Sequence, residues 1–177
     1  MIFPSTLVIH DLILQLPTIQ FANDLCSLVQ KNQKEFKYIP ATQELNTPEK
    51  SRNALKQMIE KQKNNNYTYL LFTNNTLIGA VGLKIRPAGF VAEISYYLDK
   101  NYTGNGYISK AITKLENIFF EQGGHRTEIF CNEANTASCN VAKRLNYKLD
   151  GIMREYEYID GKFHGVAIYS KITIESF

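Results

Sequence analysis

The chain predicts a mixed α/β fold: a twisted central sheet of about seven strands, flanked by about four helices. Three observations carry that reading. Runs with a strand period alternate with runs of helical period along most of the 177 residues. A strand, a short glycine turn, an amphipathic helix and another strand follow one another from Val91 to Cys131, the order of a parallel crossover. Tight turns at Asn74-Asn75 and Asp160-Gly161 each join two strand-like runs, so hairpins stand on both sides of that crossover.

Taken in order, residues about 12 to 16 read as a short strand ended by Pro17, and Ile19 to Val29 carry a helical apolar pattern. A second helix starts where Thr47 can cap, Pro48 takes the first helical position and Glu49 complements the positive helix end; it runs to about Gln62. Tyr67–Phe72 and Leu77–Ile85 form a hairpin, with Gly79 and Gly82 marking a close backbone approach or a bulge. Val91–Leu98 is the next strand. Ile108, Ala111, Ile112, Leu115, Ile118 and Phe119 then recur mostly at spacings of three and four, an amphipathic helix. Glu128–Cys131 is a strand, and Asn135–Leu145 a helix that Asn146 can terminate in the left-handed conformation. Gly151–Ile159 and Val166–Ile172 close the chain as a hairpin.

The length suits a single domain over residues 1–177. Hydrophobic residues are 44% and charged residues 21%, ordinary globular usage. The net charge of +3, with no run of Lys or Arg, excludes a phosphate-tracking nucleic-acid stripe. No apolar stretch approaches the roughly 20 residues of a membrane span, and the N-terminus lacks a secretory pattern. Cys26, Cys131 and Cys139 have no CxxC spacing, and His10, His125 and His164 are scattered. The expectation is a cytoplasmic protein without a metal site.

The most informative element is Gly104-Asn105-Gly106, between a strand and a helix. Glycines there let an anion approach backbone N–H groups at a positive helix end. A tight bend that merely needs positive φ accounts for the same residues equally well. A Walker A loop is excluded because Tyr107-Ile108 follows Gly106, and a dinucleotide fingerprint because Ser109 stands where its third glycine belongs.

From Ala92 to Ile172 the chain resembles the GNAT superfamily, and within it the RimJ/RimL type that acetylates the N-termini of ribosomal proteins. The matching strings are Ala92-Glu93-Ile94-Ser95-Tyr96-Tyr97-Leu98, Thr103-Gly104-Asn105-Gly106, Asn135-Thr136-Ala137-Ser138, Leu145-Asn146-Tyr147, Arg154-Glu155-Tyr156-Glu157-Tyr158 and Gly161-Lys162-Phe163. The resemblance implies the GNAT fold, with the sheet splayed in its middle around the pantetheine arm of acetyl-CoA. It implies cofactor contacts at Tyr97, Leu98, Thr103, Gly104, Asn105, Gly106, Tyr107, Ile108, Ser109, Asn135 and Ser138, and a homodimer. The chain departs from the superfamily at Thr103, usually Gln or Arg, at Ile108, usually Gly or Ala, and at Asn146, usually Gly.

Acetyl transfer to an amine needs a neutral nucleophile, a stabilised oxyanion and a proton for the departing thiolate. For the base the resemblance points to Glu157. Strand alternation puts Glu155 on the same face, and Glu155 and Glu93 are the other candidates. Two solvent-facing carboxylates would show the same pattern. The tyrosine acid of many GNAT enzymes is replaced by Ala142, and the resemblance gives its place to Ser138, a position that equally suits a serine bonding back to a helix carbonyl. The oxyanion is assigned to a backbone N–H near Tyr96 or Tyr97.

An α-amine loses its proton near pH 7.7–8.0 and lysine near 10.4, so lysine costs roughly 3 kcal/mol more to neutralise. A lone carboxylate therefore suits an α-amine of a protein such as a ribosomal protein. The alternatives are a small amine (antibiotic, polyamine or amino acid), a CoA-binding sensor without turnover, and a partner-recognition module without CoA.

Overall fold

The computed structural model describes residues 1–173. The chain opens with a hairpin that the sequence reading lacks: β1 (Thr6–Ile9) pairs with β2 (Leu12–Gln15) across His10-Asp11. His10 takes the left-handed φ of 56° that usually falls to Gly or Asn, so this turn has no compositional signal. A 3-10 turn at Ile19–Phe21 leads into α1 (Ala22–Lys31), and α2 (Pro40–Gln43) is a single turn. α3 (Pro48–Lys61) starts as expected, with the Thr47 hydroxyl accepting from the Lys50 amide at 3.3 Å.

β3 (Asn66–Thr73) and β4 (Thr76–Ile85) form the central hairpin, with Asn74 and Asn75 at φ 47° and 60°. β5 (Val91–Leu98) lies antiparallel to β4. A side chain at Gly79 would come within 2.3 Å of the Tyr97 carbonyl oxygen, and one at Gly82 within 2.6 Å of Ser95 Oγ. These glycines thus serve close approach; the register slip between β3 and β4 lies at Leu71/Phe72. Then follow α4 (Tyr107–Glu121), β6 (Arg126–Asn132), α5 (Thr136–Arg144), β7 (Lys148–Ile159) and β8 (Lys162–Ile172). The sheet has eight strands in the order β1-β2-β3-β4-β5-β6-β8-β7, against about seven expected, and five α-helices stand against about four. β1 and α2 are the additions.

Alternation along the strands divides the core into two layers. Tyr69 and Leu71 of β3 pack with Ile112, Leu115 and Phe119 of α4, while Leu70 and Phe72 pack with Leu25 of α1 and Leu55 of α3. Leu115, Leu25 and Leu55 are fully buried, each burial contributing about 1.5–3 kcal/mol. Beneath α4 the buried Glu116 carboxylate accepts from Tyr147 Oη, from Thr127 Oγ1 at 2.9 Å and from Lys171 Nζ at 3.2 Å. A buried charge satisfied from three directions fixes where α4 sits, and with it the glycine turn at its head.

β5 and β6 are parallel, and they pair only from Val91/Arg126 to Ile94/Ile129. Beyond that point β5 stays on β4 as far as Leu98, and β6 stays on β8 as far as Asn132. The two strands therefore part and the sheet opens. At that same end of β8, the pairing with β7 slips between Met153 and Glu157, and Glu155 sits at φ 51°. This bulge corrects the expectation that simple alternation sets Glu155 beside Glu157. Glu155 is exposed, whereas Glu157 is half-buried.

Candidate active site

The parting of β5 and β6 forms one wall of a cleft of about 810 Å³. Successive amides along a strand point to opposite sides. The Asp99 amide bonds the Ile78 carbonyl of β4 at 2.7 Å, so the amides of Tyr96 and Leu98 face the gap that β6 has left. They are donors without a strand partner on that side.

The glycine turn closes one end of this cleft. Gly104 and Gly106 have φ of 84° and 74°, and Gly106 is the residue before the first turn of α4. A Cβ at either would meet nothing within 4 Å, so backbone conformation is what demands glycine here. Among the described residues, the amides from Gly104 to Ser109 have no acceptor within the protein. The turn is held from behind. Asp99, which is buried, accepts from the Asn101 amide at 3.0 Å and from Lys31 Nζ at 2.6 Å. Burial raises the Asp99 pKa, but the Lys31 and Asn101 bonds outweigh it, and the carboxyl titrates below its ordinary range. Tyr107 Oη donates to Asp11 at 2.7 Å, tying the head of α4 to the β1–β2 turn.

Of the residues singled out in the sequence, Tyr97, Leu98, Thr103, Gly104, Gly106, Tyr107, Ile108, Ser109, Asn135 and Ser138 line the cleft. Asn105 does not: its side-chain amide donates to the Tyr102 and Thr103 carbonyls at 3.1 and 3.3 Å and stiffens the bend. Thr103 Oγ1 likewise donates to the Lys100 carbonyl at 2.8 Å. Two hydroxyls on the wall, Tyr97 Oη and Ser109 Oγ, are buried without a partner. Unsatisfied buried hydroxyls are rare, and together with the free amides they give a bound molecule donors and acceptors to use.

At the far end of the gap Asn135 caps α5, its Oδ1 accepting the Ser138 amide at 3.2 Å. Ser138 Oγ lies 2.9 Å from Tyr96 Oη and 3.2 Å from Cys131 Sγ. It makes no bond back to a helix carbonyl. Burial pushes the Tyr96 phenol well above its usual range and the Cys131 thiol up to about 12, so both stay protonated at neutral pH. The sequence reading used Tyr96 only for its amide. The side chain's role was out of reach there, because nothing in the chain says that β5 and the first turn of α5 meet.

The three carboxylates separate. Glu157 accepts from Asn132 Nδ2 at 2.7 Å; Asn132 is on the cleft wall and Glu157 stands behind it. Glu93 is half-buried on the wall itself. Glu155 faces solvent. Among the described residues no three His, Cys, Asp or Glu side chains are grouped to hold a metal ion, and no helix is long and apolar enough to cross a membrane.

A family model described as an acetyltransferase (GNAT) domain matches residues 11–148. The chain belongs to the GNAT family. The ribosomal-protein-serine acetyltransferase of Escherichia coli (strain K12) is 31% identical over 106 residues, 59% of this chain and 59% of that protein. The chain thus aligns with less than two-thirds of that relative's length. In structure the likeness is end to end. A RimL ribosomal L7/L12 α-N-protein acetyltransferase in complex with coenzyme A superposes with TM-score 0.89 at 28% identity, over 97% of this chain and 98% of the other. The microcin C7 self-immunity acetyltransferase MccE, in complex with acetyl-CoA and AMP, superposes with TM-score 0.88 at 26% identity, over 96% and 97%.

Proposed function

We propose that this GNAT-family protein is an acetyl-CoA-dependent N-acetyltransferase whose acceptor is the N-terminal α-amine of a protein, ribosomal proteins being the first class to test. One observation carries the reading: the sheet opens between a turn of free amides and the Ser138–Tyr96 hydroxyl pair. Amides at the positive end of α4 suit a diphosphate. The opened edge of β5, with the Tyr96 and Leu98 amides turned into it, suits an extended amide-bearing arm that bonds as a strand would.

In this site the amine nitrogen attacks the thioester carbon, and the carbonyl oxygen takes the electron pair while accepting from a β5 amide. The carbon–sulfur bond then breaks, and the thiolate takes a proton through Ser138 Oγ, which Tyr96 Oη supports and solvent in the open cleft reprotonates. The proton lost by the amine passes by way of a water to Glu157, which stands behind Asn132 of the wall, and from there to solvent, replacing the one drawn through Ser138. Glu93 is the second reading for the base, favoured by its place on the wall.

The α-amine acceptor is supported by its lower pKa and by what the names of the RimL structure and the E. coli relative say of those proteins. The likeness to MccE, crystallised with AMP, favours a small-molecule acceptor as the alternative. Incubation with acetyl-CoA and a panel of N-terminal peptides and small amines separates the two. Thiol release with peptides is the expected result. Release with small amines alone overturns the acceptor, binding without release for any acceptor makes the protein a CoA sensor, and no binding removes the reading altogether.

A further inference from the structure

We infer that Arg144 holds the 3′-phosphate of the CoA carrier, an assignment that rests on the acetyl-CoA reading above. A phosphate monoester carries about −1.5 to −2 charge at pH 7, and the diphosphate adds more. The glycine turn answers this with amides alone, since Thr103 contributes no positive charge and its hydroxyl is turned to the Lys100 carbonyl. Lys110, one turn into α4, lies over the Tyr107 ring at 5.5 Å and is not on the cleft wall.

Among the described residues, the cations on that wall are Lys61, Lys100 and Arg144. Lys100 Nζ is engaged by Glu35 at 3.2 Å. Lys61 ends α3, which packs on the opposite face of the sheet from the glycine turn. Arg144 is left. It is exposed, has no carboxylate partner among the described residues, and ends the stripe of α5 that runs along the cleft from Ser138 through Val141. Six residues of helix place it about 9 Å along the axis from Ser138. One helix thus presents a hydroxyl at its head and a guanidinium at its foot, and the planar fork of Arg matches a phosphate bidentately.

A cation at the end of α5 also complements the helix dipole, and Lys143 does so equally. Lys143 is exposed but faces away from the cleft, toward Thr136 and Glu133. It is the internal control, with the same charge removed one residue away. Calorimetry with CoA and with dephospho-CoA, which lacks only the 3′-phosphate, tests the assignment. The wild-type protein should bind CoA about tenfold tighter than dephospho-CoA. Arg144→Gln should abolish that difference by weakening CoA alone, and Lys143→Gln should keep it. Equal binding of the two nucleotides by wild type, a preserved ratio in Arg144→Gln, or an equal loss in Lys143→Gln overturns the assignment and leaves the acetyl-CoA reading standing. Binding of neither nucleotide by wild type overturns both.

Discussion

The two faces of the sheet bound the same cleft but are built differently. On the α4/α5 face, contacts offered to a ligand come largely from backbone: the amides of one short bend and of the opened β5 edge. On the α1/α3 face they come from side chains gathered from distant places: Phe36 and Tyr38 before α2, Met58 and Lys61 of α3, Thr68 of β3 and Glu93 and Ser95 of β5. Phe36 packs at a tilt of 57° against Tyr97 with ring centroids 5.1 Å apart, joining that wall to the sheet. Amides address a ligand part that never changes and tolerate almost any sequence. Side chains select, and a different set would select a different acceptor. Under the proposed function, one face would hold the carrier and the other would choose the amine.

The largest expected effect sharpens that division. Glu157→Gln should lower turnover by about 10²–10⁴-fold with acetyl-CoA affinity nearly unchanged, measured by thiol release and calorimetry. If Glu157→Gln retains the rate and Glu93→Gln loses it, the base belongs to the acceptor wall instead. A smaller effect is expected at the other proton. A thiol titrates near 8.5 and leaves readily, so Ser138→Ala and Tyr96→Phe should each cost about tenfold in turnover, and the double variant scarcely more. Independent losses that multiply would separate the two hydroxyls into different roles.

The smallest effect concerns stability rather than chemistry. Asp99 has a lowered pKa in the folded protein, so its contribution is complete above the ordinary value of 3.8 and is lost as pH falls through the lower folded value. Asp99→Asn should cost about 1–2 kcal/mol at pH 7 in chemical denaturation, and the gap from wild type should narrow below about pH 4. A gap independent of pH would assign the loss to packing and detach the glycine turn from the Lys31 anchor.

Much of this was readable in the chain, and the exceptions have identifiable causes. The α3 start, the β3–β4 and β7–β8 turns, the β5–α4 bend and the left-handed Asn146 after α5 all rest on interactions within a few residues. The β1–β2 turn is not legible in the chain because His10 adopts a left-handed conformation that its residue type does not announce. The pairing of Glu155 with Glu157 escapes simple alternation because a bulge depends on the partner strand: Met153 and Glu157 face Val166 and His164, which only one residue separates.

By itself, then, the sequence determined the order of every strand and α-helix except β1 and α2, the family resemblance and the bend at the head of α4, since dihedral preference and hydrophobic period are local quantities. Tertiary structure alone decided that β5 and β6 part after Ile94 and Ile129, that Tyr96 meets Ser138, and which of three carboxylates faces what. Those facts depend on distances between segments as many as 42 residues apart in the chain. No period or propensity records such distances; they are set when the helices pack on the sheet and the buried groups find their partners.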